Sequence, residues 1–207
     1  MSENNKPTSQ SELRNLIGDI TPLAQNKEYT ELDKFAAGFI NLSPFAVIGS
    51  VGEDGHVDVT PRGDPPGFVK IRDSKTLLIP ERPGNRRVDT MQNLLANPQI
   101  SIIFFMPGYE ETLRIRGRAS LTTDSATLEA MAVNSKAPII AIRVEIDCIF
   151  FHCAKALKRS RLWDPEAQIA KGDFPRFSEI IKSQRLPEKT DEEVEDLIQD
   201  VYRKTLY

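Results

Sequence analysis

The spacing of hydrophobic residues changes twice along the chain and divides it into three parts. In residues 31–41 apolar side chains recur three and four positions apart, which is the period of an α-helix. Five of them share one face: Leu32, Phe35, Ala36, Phe39 and Ile40. We predict a helix from Glu31 to Asn41 with Thr30 as its N-cap. A shorter helix is predicted from Ser11 to Gly18, and the polar first ten residues are expected to be disordered.

Between Phe45 and Phe151 the period falls to two, which is typical of β-strands. Seven strands are predicted: Phe45–Val51, His56–Thr60, Gly67–Ile71, Thr76–Ile79, Gln99–Met106, Thr112–Thr122 and Ile139–Phe151. Two short helices interrupt them, Val88–Ala96 and Ser125–Val133, the second with Asp124 as cap. Many strands without βαβ alternation indicate a mainly β protein. We expect a six-to-seven-stranded antiparallel barrel, closed or split, with N- and C-terminal helices.

The last forty or so residues return to a helical pattern. A short helix is predicted at Phe177–Ser183, and Thr190 with Glu193 forms a capping box that should begin another helix. Behind that box lies an apolar stripe made of Val194, Leu197, Ile198, Val201 and Tyr202. The predicted organisation is an N-terminal helical extension (1–42), a barrel (43–165) and a helical tail (166–207) packed on the barrel or on a partner subunit.

Composition narrows the function classes. The chain has 207 residues, 40% of them hydrophobic and 28% charged, which is typical of a globular protein. Its net charge of −3 argues against general nucleic-acid binding. We found no apolar stretch long enough to cross a bilayer and no signal-peptide core, so a cytoplasmic protein without a membrane partner is expected. Cys148 and Cys153 lack metal-site spacing and are expected to be buried apolar residues.

A pair of arginines offers the clearest chemistry. Arg86 and Arg87 follow a Pro-Gly turn that joins a predicted strand to a predicted helix. Unpaired N–H groups at a helix start, together with the positive end of the helix dipole, favour anions. Two guanidinium groups at the same place could hold a phosphate at two edges. We therefore predict an anion site at this turn, with a solvated basic loop as the alternative.

Several segments occur in an order that resembles a known family. The strand Gly55–Asp64 ends in Thr-Pro-Arg-Gly-Asp, the arginine turn follows, and then come Asn93–Ser101 (Asn-Leu-Leu-Ala-Asn-Pro-Gln-Ile-Ser) and Leu113–Ala119 (Leu-Arg-Ile-Arg-Gly-Arg-Ala). Over about residues 40 to 165 this order resembles the pyridoxamine 5′-phosphate oxidase-like, FMN-binding split-barrel family. The segments Pro61–Asp64 and Ala154–Trp163 are similar to a bacterial branch of uncharacterised flavoproteins within it.

The resemblance implies a homodimer with two FMN sites, each built from both subunits at the interface. Ten residues would contact the cofactor: Thr60, Pro61, Arg62, Asn85, Arg86, Arg87, Thr112, Arg114, Lys155 and Trp163. Asn85–Arg87 match the phosphate-binding position, and Thr60–Arg62 match the strand along the flavin ring. Thr112 and Arg114 fall where the strand of the partner subunit reaches the cofactor. Lys155 and Trp163 would edge the open side of the ring.

Three of these residues have structural alternatives. Arg62 could form a salt bridge with Asp64, and Arg114 could be an outward-facing charge of its strand. Trp163 could fill the core under the C-terminal tail. The lone His152 is expected to be a barrel residue with its hydrogen bonds satisfied, and His56 to be exposed.

The implied function is an FMN-dependent oxidoreductase acting on an unknown small molecule, since FMN carries the redox chemistry and the protein sets its surroundings. Arg62, Arg114 and Lys155 are candidates to stabilise the anionic reduced flavin, and no residue stands out as acid or base. Pyridoxal-forming members use a C-terminal Arg-x-His segment, whereas this chain has no histidine after His152, so a vitamin B6 oxidase is not expected. A non-catalytic flavin-binding protein is one alternative. A split barrel holding haem or a deazaflavin is another, and haem would need His56 or His152.

Overall fold

The computed structural model describes residues 6–206 and contains one seven-stranded antiparallel sheet. The strands are β1 (Phe45–Val51), β2 (Val57–Gly63), β3 (Lys70–Asp73), β4 (Thr76–Glu81), β5 (Gln99–Phe105), β6 (Thr112–Thr122) and β7 (Ile140–His152). The α-helices are α1 (Gln10–Ile17), α2 (Lys34–Leu42), α3 (Asp89–Ala96), α4 (Ser125–Glu129), α5 (Lys155–Ser160), α6 (Phe177–Arg185) and α7 (Asp191–Thr205). Seven strands and the predicted mainly β class are confirmed, although β3 begins at Lys70, three residues later than predicted, because Gly67 lies in a turn. The expected disorder of the first ten residues falls partly on residues 1–5, which lie outside the described range.

The strands lie side by side in the order β2-β1-β5-β6-β7-β4-β3, so the sheet is split and its edges are β2 and β3. The long strand β7 pairs with β6 from end to end, but its pairing with β4 stops at Glu145. Beyond that point Tyr29 forms an isolated bridge with Ile149. Inward-facing apolar side chains of the strands, among them Ile48, Ile115 and Val144, form the core with α2 and α3.

A glycine is required where β6 and β7 cross a bulge. The register between the two strands shifts after Arg116, and Gly117 lies opposite Ile146. A Cβ atom added to Gly117 would lie 2.1 Å from the carbonyl oxygen of Glu145. Since no side chain can approach a backbone that closely, the bulge depends on glycine at this position.

Two local predictions were wrong. Helix α2 begins three residues later than predicted, and its N-cap is Asp33, whose carboxylate accepts a hydrogen bond from the N–H of Ala36 at 2.7 Å. A carboxylate in the preceding turn therefore displaces Thr30 from the capping role. Cys148 is buried as expected, whereas Cys153 follows the end of β7 and is exposed.

The terminal helices leave much apolar surface uncovered. Every residue of α1 is exposed. In the tail the predicted capping box of Thr190 and Glu193 is present, and α6 packs against α7. Of the predicted apolar stripe only Val194 is buried, while Leu197, Val201 and Tyr202 are each about half exposed. The division into extension, barrel and tail stays a prediction.

Candidate functional site

The turn between β4 and α3 has the geometry of an anion site. The side-chain oxygen of Asn85 accepts a hydrogen bond from the N–H of Arg87 at 2.9 Å, which closes the turn. Arg86 has a φ of 60°, the left-handed conformation that non-glycine residues adopt rarely. Val88 is the N-cap of α3 and forms no side-chain cap hydrogen bond. The first N–H groups of α3 thus stay free to bind an anion beside the two arginines.

The two arginines differ in their surroundings. The Nε of Arg87 donates to the carboxylate of Asp89 at 2.6 Å, and this hydrogen bond and charge raise the pKa of the Arg87 guanidinium. Asp89 would therefore compete with any bound anion for Arg87. Arg86 is exposed and forms no side-chain hydrogen bond or ion pair within residues 6–206. Arg86 is thus the cation of this turn that is free to meet an anion.

Arg62 lies at the end of β2 with its side chain mostly buried. Its guanidinium donates to the hydroxyl of Thr60 at 2.8 Å and to the carbonyl of Pro61 at 2.9 Å. A further nitrogen lies 3.0 Å from a carboxylate oxygen of Glu81, so Arg62 pairs with the end of β4. The Nε of Arg62 is buried without a hydrogen-bond partner in the described structure. A buried donor without a partner is uncommon in folded proteins.

A second, more deeply buried ion pair ties the same two strands together. Asp64 follows β2, and its carboxylate lies 2.8 Å from the Nε of Arg82, which follows β4. The Asp64 side chain is 2% exposed and that of Arg82 is 14% exposed. Arg82 also donates to the carbonyl of Met131 at 2.8 Å. Because Arg82 directly precedes the turn, this pair fixes where the turn begins.

These groups surround two adjoining clefts. The first has a volume of about 340 Å³ and is lined by Thr60, Pro61, Arg62 and Asn85 among others. The second, of about 610 Å³, is lined by Asn85, Arg86 and Arg87, with an apolar wall that includes Met91 and Ile140. Both clefts share Glu81, Arg82, Gly84 and Asn85. Six of the ten predicted contact residues are thus brought together around one turn.

The other four predicted residues line neither cleft. Thr112 is buried at the start of β6, opposite His152. Arg114 faces outward, and its guanidinium lies 5.4 Å from the centre of the Phe150 ring. Lys155 is exposed at the start of α5. The contact of Thr112 and Arg114 with a cofactor of the partner subunit stays a prediction.

Trp163 occupies a separate depression near α5. Its indole N–H donates to the carbonyl of Tyr109 at 2.9 Å, and the ring is partly exposed. The depression has a volume of about 570 Å³. Four of its charged residues form pairs, Lys158 with Glu110 and Arg161 with Asp164. Trp163 is therefore not a fully buried core residue, which removes that alternative.

The histidines differ from each other. His56 is exposed as expected and pairs with Asp54 at 2.8 Å. His152 is half-buried, and its Nδ1 is shielded from solvent without a hydrogen-bond partner in the described structure, so the predicted satisfied histidine was wrong. Burial, together with the nearby charges of Lys27 and Arg114, lowers the pKa of His152. Both causes favour the neutral imidazole over the charged form.

Sequence reasoning passed over several residues that line the clefts. Glu81 and Arg82 lie in the segment from which the anion site was predicted. Their charges beside the Pro-Gly turn could have indicated that they line the cleft. Lys204 and Thr205 line the second cleft from the end of α7, and nothing in their local sequence indicates this.

Across residues 6–206 no group of three His, Cys, Asp or Glu side chains could hold a metal ion. No helix in that range has both the length and the apolar character needed to cross a membrane.

Comparisons with known proteins give one family match and a set of similar solved structures. Residues 32–153 match the family model described as pyridoxamine 5′-phosphate oxidase. No curated protein matches the chain. Similar solved structures include HupZ of Group A Streptococcus, which is 20% identical, covers 58% of this chain and 93% of its own, and has a TM-score of 0.48. General stress protein 26 of Bacillus anthracis is 14% identical, covers 56% and 88%, and has a TM-score of 0.45.

An FMN-binding protein of Syntrophomonas wolfei is 11% identical, covers 56% of this chain and 80% of its own, and has a TM-score of 0.43. The family assignment itself depends on the sequence match over residues 32–153, which is more than half of the chain. The chain therefore belongs to the pyridoxamine 5′-phosphate oxidase family.

Proposed function

We propose that this chain is a flavoprotein that binds FMN at the turn between β4 and α3 and uses it as an oxidoreductase on a small molecule. The observation that carries the proposal is the convergence of two distant segments, Thr60–Arg62 and Asn85–Arg87, on adjoining clefts. One segment offers a partly buried strand end for a ring, and the other offers cations for a phosphate. FMN has both parts in one molecule.

The residues present fit the cofactor. The cleft volumes of about 340 and 610 Å³ lie within the range of about 300–1,000 Å³ usual for ligand sites. Arg86 has no partner within the described chain, and the first turn of α3 has no side-chain cap. The Nε of Arg62 is a buried hydrogen-bond donor without an acceptor in the described structure. A ligand with a phosphate at one end and carbonyl and ring-nitrogen acceptors at the other satisfies all three.

Each element has a separate task in this proposal. FMN, when bound, supplies the redox chemistry. Arg86 and the N–H groups of α3 bind its phosphate, with Arg87 shared between the phosphate and Asp89. Arg62, held in place by Glu81 and Thr60, donates to the flavin edge. Pro61 has no N–H group, so at that position the strand offers the ring an apolar surface rather than a donor.

We further propose that the protein is a homodimer with FMN at the interface. Strand β2 is a sheet edge, and its outward side chains Val57 and Val59 are 70% and 63% exposed. On β1 the partly exposed Val51 lies opposite Val57, and Val47 and Phe45 lie further along the same face, opposite Pro61 and Gly63. An apolar sheet face next to the clefts suits contact with a second copy. That copy would bring Arg114, Lys155 and Trp163 to the cofactor.

A haem-binding alternative receives no support from the clefts, because the residues that line them include no histidine. A deazaflavin would use the same cations and remains the second candidate for the ligand. A passive flavin-binding protein and an oxidoreductase would bind FMN in the same cleft. A test of redox activity is therefore needed to distinguish them. The proposed location is the cytoplasm, on the sequence grounds given above.

The first experiment is purification without added cofactor, for which we expect a yellow protein with a flavin spectrum. After removal of the flavin, FMN and riboflavin are titrated into wild-type protein, Arg86→Ala and the control Arg72→Ala. Arg72 is an exposed arginine on β3, away from both clefts. Loss of a charge-assisted hydrogen bond should weaken FMN binding about tenfold or more in Arg86→Ala and leave riboflavin binding nearly unchanged. Equal FMN affinity in all three proteins would remove the phosphate assignment.

Two further measurements separate the remaining possibilities. Anaerobic bleaching of the bound flavin by NADH or NADPH distinguishes an oxidoreductase from a passive binder. Sedimentation should give a dimer, and Val59→Glu should produce monomers that have lost FMN affinity, because the substitution puts a charge into the apolar face. A wild-type monomer that still holds FMN tightly would contradict the shared site.

A further inference from the structure

The second cleft has a wall that the proposed function does not explain. Besides the arginine turn and the apolar residues, it is lined by Lys204 and Thr205 from the last turn of α7. More than a hundred residues separate them from Arg86 and Arg87. The last turn of α7 therefore lines the same cleft as the predicted phosphate position.

We propose that Lys204 is a third cation for the phosphate of FMN, so that the C-terminal helix belongs to the cofactor site. This inference rests on the proposed function. Lys204 is a long, flexible side chain whose ammonium group can turn toward an anion in the cleft. Its present partner is the carboxylate of Asp200, one helical turn earlier.

The setting favours such a contact. Val88, Met91, Ala137, Ile139 and Ile140 line the same cleft. The Lys204 side chain is 72% exposed, so its attraction to a phosphate in this cleft would have the strength of an exposed charge pair. The partial negative charge at the C-terminal end of α7 would by itself repel a phosphate. A lysine at this end offsets that repulsion and converts the helix end into a favourable neighbour.

The neighbouring residue provides an internal comparison. Arg203 also lies in the last turn of α7 and also contacts Asp200, at 3.7 Å. Both side chains are about equally exposed, at 74% for Arg203 and 72% for Lys204. Only Lys204 is among the residues that line the cleft. A general effect of charge at the helix end would involve both residues equally, whereas a phosphate contact involves Lys204 alone.

The experiment compares Lys204→Gln, Lys204→Arg and the matched control Arg203→Gln in the full-length protein after flavin removal. Each is titrated with FMN and with riboflavin, which lacks the phosphate, at low and high salt. We expect Lys204→Gln to weaken FMN binding about three- to fivefold, the range for an exposed charge pair, with riboflavin unchanged. The difference should shrink at high salt. Lys204→Arg should restore most of the affinity, and Arg203→Gln should bind FMN as the wild type does.

Amide hydrogen exchange gives a readout that is independent of affinity. FMN should slow exchange in the last turn of α7 of the wild type, and riboflavin should not. Equal effects of Lys204→Gln and Arg203→Gln, or unchanged FMN binding in Lys204→Gln, would overturn the inference while leaving the proposed function intact. If the wild-type protein binds neither flavin, both the proposed function and the inference fail.

Discussion

Removal of the Asp64 carboxylate should destabilise the protein more than removal of an exposed charge. Asp64 and Arg82 join the ends of β2 and β4 through a pair whose side chains are 2% and 14% exposed. In Asp64→Ala the Arg82 guanidinium loses its buried counter-charge. Breaking a buried pair by removing one partner costs about 3–5 kcal/mol. That is a large part of the roughly 5–15 kcal/mol by which a folded domain is stable.

The expected change is easily measured. At about 2–4 °C per kcal/mol for a domain of this size, Asp64→Ala should lower the Tm by about 6–20 °C. Urea unfolding gives the free energy directly. The exposed pair of Glu31 with Lys75 serves as the control, and Glu31→Ala should move the Tm very little. Since Arg82 precedes the arginine turn, Asp64→Ala should also weaken flavin binding.

A double variant separates the loss of the pair from the isolation of one charge. Asp64→Leu combined with Arg82→Met removes both charges, and it should recover much of the stability lost in Asp64→Ala. The reasoning is refuted if Asp64→Ala unfolds at the wild-type midpoint. It is also refuted if the double variant loses as much free energy of unfolding as Asp64→Leu and Arg82→Met lose in sum.

Three further outcomes test other parts of the structure. Gly117→Ala should cost about 1–3 kcal/mol or more in urea unfolding, because its Cβ would collide with the Glu145 carbonyl. In Gly49→Ala the added Cβ would have no neighbour closer than 3.8 Å, so the free energy of unfolding should hardly change. Equal losses of stability in the two variants would contradict the requirement for glycine at the bulge. Thr190→Ala should cost about 1 kcal/mol of local stability in α7, read as faster amide exchange there; unchanged exchange would disprove the cap.

The pKa of His152 in the folded state lies below its ordinary value of 6.5, so the unfolded state binds more protons below that pH. The free energy of unfolding of the wild type should therefore fall as the pH drops below 6.5. The free energy of unfolding of His152→Gln should fall less over the same range.

Local patterns were sufficient where one element decides the outcome. The β1 and β6 strands were predicted to the residue, since alternation records directly which side chains face the core. The capping box of α7 was found because its partners stand three residues apart. Thr30 failed as a cap because Asp33 lies closer to the first helical residue. Cys153 was misplaced because it follows the end of β7, where alternation no longer applies.

The amino-acid sequence by itself determined the strands and the order of motifs, and it predicts the anion site at the arginine turn. Only the tertiary structure decided which residues meet there. It brought Thr60–Arg62 beside Asn85, paired Asp64 with Arg82, and carried Lys204 to the far wall of the second cleft. The physical reason is that the spacing of hydrophobic residues shows which side chains of one segment face the core and which face water. Contacts between distant segments depend on strand order and register, and these follow from the packing of the whole sheet.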